Sequence, residues 1–469
     1  MTDDGHAMAS SSTAVNRAFC GTPSLLSTGD QFGAMFLKDH ELTNRPIREI
    51  IVSKWGSVPK YCATVTMPYF NNENALMLIE SWIMSAGPGL SLHQVGRVLL
   101  VVKIVMLSVF VLALMRIGIG IAVGAAALQV AAVIMLGLQQ TFSYSYYTFF
   151  FCMIALMIGV YTLAIDSIER PWAVAVFAVL AGLLSAFCGN MRTSYIPVFA
   201  ALFAVYLYVS DRRNASARLP WRPRLRALAI TAVCFVAGYM TFQYVFIARS
   251  RPPGKNNLSY HHVAHPLVLA LGDPRNPLSE REGITWSDAV GPEIVQRIDP
   301  KVVAYSPEYE EVLYEYYRSL WQRYPAEMRQ IYLSKAKLAG RHMIENAQFA
   351  DPLITAGLKV MHVIPNGLWM SGAFALVALL AALGMLRKTF SSAEVLVCLV
   401  AVAGLLLMLE ASLIIPYFYL SYGSSLLLCC MTLLLLLVEG IVTLVGRVTG
   451  LARLLGAARP QRREAAHGA

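Results

Sequence analysis

Hydrophobic positions in this chain come in long unbroken runs separated by polar stretches. Nine runs read as spanning helices: Val98–Met115, Ile117–Leu138, Tyr146–Ile165, Trp172–Cys188, Tyr195–Val209, Leu225–Ile247, Ile364–Leu386, Val395–Ile415 and Tyr417–Val438. Most have about 17–25 residues, enough to cross a hydrocarbon core of about 30 Å as a helix. A helix satisfies its own backbone hydrogen bonds where there is no water, so the expected fold class is an all-α polytopic membrane protein. Trp172–Cys188 is the weakest of the nine, being short and followed by a Gly189-Asn190 breaker.

The runs divide the chain into an N-terminal region (1–95), a six-span module (96–247), a loop domain (248–362), a three-span module (363–446) and a basic tail (447–469). Within the loop domain, Val312, Tyr316, Leu320 and Tyr324 recur at helical spacing, and Pro325 opens a second helix through about Arg341. Their aromatics with Arg and Lys suit the headgroup layer, which predicts a helical pair lying on the membrane surface. The stretch SRPPGKNNLSYHHVAHP has turn chemistry without periodicity and reads as an irregular loop.

Composition agrees with the pattern. The chain is 57% hydrophobic and 14% charged, where a soluble protein carries about a quarter charged residues. Its net charge of +10 is concentrated next to spans: Arg212, Arg213, Arg218, Arg222, Arg224 and Arg226 fill one short loop, and further arginines lie beyond Arg447. That placement points to anionic lipid headgroups rather than nucleic acid, and puts the arginine loop, Arg387-Lys388 and the tail in the cytoplasm. The alternation then closes with residues 1–95 and 248–362 outside, as in a multi-pass protein of the plasma (inner) membrane. Residues 1–95 lack the basic start and apolar core of a signal peptide. A further span ahead of Met1 is therefore expected, the alternative being a miscounted span ending at Cys188. Six of eight cysteines fall in candidate spans; a disulfide between the other two, Cys20 and Cys62, is left open by the sequence.

No phosphate loop, zinc-ligand spacing or nucleophile elbow is present. The candidate chemistry is instead polar groups gathered at the outer face. Asp3, Asp4, Asp30, Asp39 and Glu41 are the acidic candidates, since a carboxylate there can act as a general base on an acceptor hydroxyl or hold a divalent metal. Arg192, in the turn GNMRTSY, and Arg249, Arg251 and Lys255, just after a span, suit the phosphate of a lipid carrier. His261, His262 and His265 can supply an acid–base group or metal ligands. Lys103, Glu410 and Glu439 lie in or near spans, where ionisable groups are costly. Solvated surface charge, headgroup snorkelling and incidental loop histidines are the plainer readings of the same residues.

The segment YFNNENALMLIESWIMSAGPGLSLHQVGRVLLVV combines Asn71-Asn72, an apolar helix over Ala75–Ile83, Gly87-Pro88-Gly89 and Arg97 at the opening of a span. With the order of spans and loops, it resembles the lipid-carrier-dependent membrane glycosyltransferases of the C-type fold. In that family a first span is followed by a long external loop with the catalytic carboxylate, and a second long loop follows the seventh span. The resemblance implies a polyprenyl-phosphate-linked sugar as donor and a glycan, lipid or protein as acceptor. It departs from the family in that no span precedes any acid here. A polymerase or ligase of lipid-linked polysaccharide is the enzymatic alternative. A transporter or flippase is the alternative of another class, against which stand the missing internal repeat and the six-against-three division of spans. A non-catalytic assembly partner is a further alternative.

Overall fold

The structure is a computed structural model of the chain. The residues it describes are 14–21, 24–25, 40–64, 67–68, 74–87, 89–135, 145–164, 171–191, 196–216, 220–247, 263–345, 367–386, 391–413 and 420–449. Helices dominate throughout. The N-terminal region contains residues 14–20 (α1), Ile47–Trp55 (α2), Val58–Ala63 (α3) and Asn74–Ala86 (α4). A 3-10 turn at His40–Asn44 and a two-residue antiparallel pairing of Ser24–Leu25 with Met67–Pro68 complete its described part.

The long apolar helices are Leu92–Met115 (α5), Ile119–Met135 (α6), Ser145–Ala164 (α7), Pro171–Met191 (α8), Ile196–Ser216 (α9) and Trp221–Phe242 (α10). After the loop domain come Gly367–Gly384 (α16), Ser392–Leu413 (α17) and Leu420–Thr449 (α18). Each expected span overlaps one of these helices. Five stretches of the described residues are long and apolar enough to cross a membrane: Leu92–Met115, Trp172–Asn190, Trp221–Phe246, Gly367–Gly384 and Ser392–Glu410. The protein is a multi-pass all-α membrane protein. The expected break at Gly189-Asn190 does not occur, because α8 continues to Met191 and Asn190 donates its side-chain amide to the Ala186 carbonyl.

Local chemistry explains where helices start. Ser91 and Gln94 form a reciprocal capping box at the head of α5. In the loop domain, Ala264–Leu269 (α11), Pro277–Glu282 (α12), Val290–Ile298 (α13), Pro307–Arg323 (α14) and Pro325–Glu345 (α15) follow one another. Asn276 caps α12 and Ser306 caps α14, each just ahead of a proline at the first helical position. The two helices expected here are α14 and α15. The expected irregular stretch ends earlier than its sequence suggests, since His265 and Pro266 already belong to α11.

Contacts between distant segments define the two ends of the bundle. At one end Arg212 donates to the Leu386 carbonyl at 2.8 Å, Tyr208 donates to Ala382 O, and Asp211 binds Arg224 through both carboxylate oxygens. The α5–α6 turn lies at the same end, where Gly118 and Gly120 pack against the Glu439 carboxylate of α18. At the other end Pro46 bridges to Ser91 at the head of α5, and Trp82 of α4 meets Phe246 beyond α10 at 5.7 Å. The loop domain reaches the end of α17 on that same side, through Lys335.

Two buried apolar clusters result. One runs through the membrane helices and takes in Ala14, Val15, Ile47, Ile50, Ile51 and Tyr61 of the N-terminal region. The other belongs to the loop domain and includes Leu269, Ile294, Tyr309, Leu313, Leu320 and Met328. Helices α8 and α10 approach most closely at Gly182 and Gly238. A Cβ at either would collide with backbone of the partner helix, at Phe235 O and Val179 O respectively.

Candidate functional site

Of the residues singled out in the sequence, Asp3, Asp4, Asp30, Asp39, Arg192, Arg249, Arg251, Lys255, His261 and His262 lie outside the described residues. Glu41 is described. It stands exposed in the 3-10 turn that packs against the start of α5. The described residues place three other polar centres at or towards the end of the bundle that carries both extramembrane regions.

The first joins the N-terminal region to the membrane helices. Glu80 on α4 and Lys103 on α5 are almost completely buried, at 1% and 2% exposure. Lys103 acts on Glu80 through space, and the Cys152 thiol of α7 lies in the same neighbourhood. Burial pushes the Glu80 carboxyl up to about 8, with Lys103 working in the opposite direction. Among the described residues no hydrogen-bond partner reaches Glu80 Oε2. A carboxyl and an amine enclosed together can hold or exchange a proton, and both are suited to a polar or anionic group brought to them. Above them, Tyr61 donates a short hydrogen bond to Asn16, and a disulfide joins Cys20 to Cys62.

The second centre is the core of the loop domain. His265 Nδ1 lies 2.5 Å from the Tyr309 hydroxyl, and its Nε2 lies 3.4 Å from Asp288. The Glu310 carboxylate accepts from the backbone N–H groups of Val263, Ala264 and His265, at 3.3, 2.8 and 3.3 Å, so an acid closes the start of α11. Tyr305 packs its tilted ring beside this group with a left-handed φ of 62°, a conformation an aromatic residue rarely adopts. Burial raises the Tyr309 hydroxyl well above its ordinary range. His265 is enclosed with both ring nitrogens engaged. That makes it a structural histidine that ties α11 to α14, and not the open acid–base or metal-ligating group its loop-like sequence suggested.

The third centre is the seam between loop domain and membrane helices. Lys335 on α15 is fully buried, and its Nζ donates to Ala270 O at 2.5 Å and reaches Leu413 O at 3.5 Å. Burial pulls this amine down to about 7, while Asp273 works to raise it. Glu410 stands on α17 one turn before Leu413.

Glu80, Lys335, Asp273 and Asp288 were not singled out in the sequence. A lone acid in the apolar helix NALMLIESWIMSA was the available signal for Glu80. Lys335 falls in register with Met328, Ile331 and Ala339 on the buried stripe of α15. Among the described residues no group of three or more His, Cys, Asp or Glu could hold a metal ion. No family model, no curated protein and no solved structure matches this chain.

Proposed function

We propose that the chain is a membrane glycosyltransferase that moves a sugar from a polyprenyl-phosphate donor to a glycan, lipid or protein acceptor. The observation that supports this reading is the meeting of two differently built extramembrane regions at one end of the bundle, with the Glu80–Lys103 pair beneath one of them. A carrier working by alternating access usually shows repeated halves, which the six-and-three arrangement of helices lacks. An enzyme acting on a lipid-linked substrate needs a covered polar site at one face.

In this reading all nine long helices span the membrane, and the face bearing both regions is the external one. The Cys20–Cys62 disulfide favours that orientation, since disulfides persist in oxidising compartments. A carboxylate of the N-terminal region, from among Asp3, Asp4, Asp30, Asp39 and Glu41, deprotonates or orients the acceptor hydroxyl. Arg192, Arg251 and Lys255, with His261 and His262, hold the departing lipid phosphate and stabilise charge as it develops. A divalent metal at the carboxylates is compatible with the scheme.

Two experiments test it. Single introduced cysteines within 263–340 should label from outside the cell, and cysteines at 212–226 should not; the reverse pattern would overturn the orientation. Transfer should then be measured with the purified chain, a polyprenyl-phosphate sugar and candidate acceptors, alongside membrane accumulation. At least one of the five acid-to-Asn variants should lose transfer while accumulating normally. Full transfer in all five would remove the carboxylate mechanism and put the polymerase or ligase reading ahead.

A further inference from the structure

The loop domain has its own core, and one long side chain crosses the seam by which it rests on the membrane helices. Lys335 sits on α15, which packs against α16, α17 and α18. Its Nζ touches one carbonyl on each side of the seam: Ala270 O within the loop domain and Leu413 O at the end of α17. Leu413 is the last described residue of α17, and its carbonyl accepts from this donor outside its own helix. A neutral amine has two N–H groups, one for each carbonyl. An ammonium has three donors and a full charge, both to be met in a place closed to water.

Among the described residues, several groups stand near this amine. Asp273, from the turn after α11, acts on it through space. Tyr332, on the same helix, presents its ring at 5.5 Å and is hydrogen-bonded to Tyr317 of α14. Helix α17 brings Glu410, while α16 has no ionisable side chain between Gly367 and Gly384. Among the described residues α18 contributes the thiols of Cys429 and Cys430, and Glu439 towards its other end.

We propose that Lys335 is a proton-operated clamp: uncharged, it holds the loop domain against the end of α17, and on taking up a proton it lets the domain go. The direction follows from linkage. In the docked state the amine titrates at about 7, against an ordinary value of 10.5 that it regains in water. Above pH 10.5 both states are neutral and pH has no effect. Between pH 10.5 and 7 the released state alone carries the proton, so each fall in pH favours release. Below 7 both states are charged and the effect levels off. These two values translate into about a fiftyfold rise in the release equilibrium from pH 9 to pH 7, and about twofold from pH 7 to pH 5.

Hydrogen exchange of the full-length chain in detergent, corrected for the intrinsic pH dependence of exchange, reads this equilibrium. Amides of α15 around Lys335–Ala339, where the helix meets the bundle, should lose about fiftyfold protection from pH 9 to pH 7, while amides of α14 around Leu313–Leu320 keep theirs. Lys335→Met should flatten the dependence. Should that variant fail to accumulate, Asp273→Asn keeps the amine and removes its counter-charge, and should move the step to lower pH. The clamp is overturned by a wild-type chain without the step, by an unchanged step in Lys335→Met or an unmoved one in Asp273→Asn. Parallel loss of protection in α14 would also overturn it, because the domain would then be unfolding rather than undocking.

Discussion

The two extramembrane regions reach the same end of the bundle by opposite constructions. The N-terminal region shares its buried side chains with the membrane helices: Ile47, Ile50, Ile51 and Tyr61 lie in the cluster that also contains Leu99 and Phe110. The loop domain encloses its own cluster around Tyr309, Leu313 and Leu320, and among the described residues meets the bundle mainly through α15. A region without a private core cannot leave its partner without unfolding. One with a private core can detach and stay folded. The first construction suits a fixed wall of a site, the second a part that moves.

Four predictions break or sharpen this contrast. The largest effect is expected from removing the Cys20–Cys62 cross-link, which closes a segment with a sequence separation of 42. Loop-closure entropy puts its loss at about 4 kcal/mol. Cys20→Ser with Cys62→Ser should therefore make the N-terminal region protease-sensitive and leave 263–345 resistant. Next comes Leu320→Ala, in the private core of the loop domain. It should destabilise that domain by about 3 kcal/mol, read as a lower denaturant midpoint of its aromatic signal, with the N-terminal region unmoved. Equal loss in both regions would show that they share one cooperative unit.

The third prediction concerns pH. Because the Glu80 carboxyl is raised from 4.5 to about 8, the folded chain keeps between those values a proton that the unfolded chain has released. Stability therefore falls as pH rises through that window, by an amount on the order of 2 kcal/mol between pH 5 and 7. Glu80→Gln, which cannot titrate, should remove this slope from the thermal midpoint; an unchanged slope would mean that Glu80 is not enclosed. The smallest effect is expected from Tyr61→Phe. It deletes one donor to Asn16 and should cost about 1 kcal/mol, visible as faster exchange in α1 and α3.

Much of the architecture was legible in the sequence because the physics that sets it is local. A run of twenty apolar residues has one stable form in lipid, and Pro325 marks a helix start whatever surrounds it. The stripe of α14 was found in the right period but centred slightly off, since Tyr309 and Leu313 are buried as deeply as Leu320. Helices α11 to α13 were missed because each is nine residues or fewer, too short to show a period. The polar centres were harder. Lys335 reads in sequence as an ordinary lysine on an amphipathic helix, and only the carbonyl of Leu413, 78 residues away, gives it a role. Glu80 likewise acquires its character from α5, which folds over it.

The close seam of Gly182 and Gly238 bears on where the last helix of the six-helix module can stand. Helix α10 shows most of its surface to lipid, with only 17% of its apolar window buried, and α8 is its main neighbour. The polypeptide leading into the loop domain leaves from the end of α10. A side chain as small as alanine at either glycine would meet backbone of the facing helix and lift α10 from α8. Two missing methyl groups thus set the position of the helix after which the chain runs on towards the loop domain.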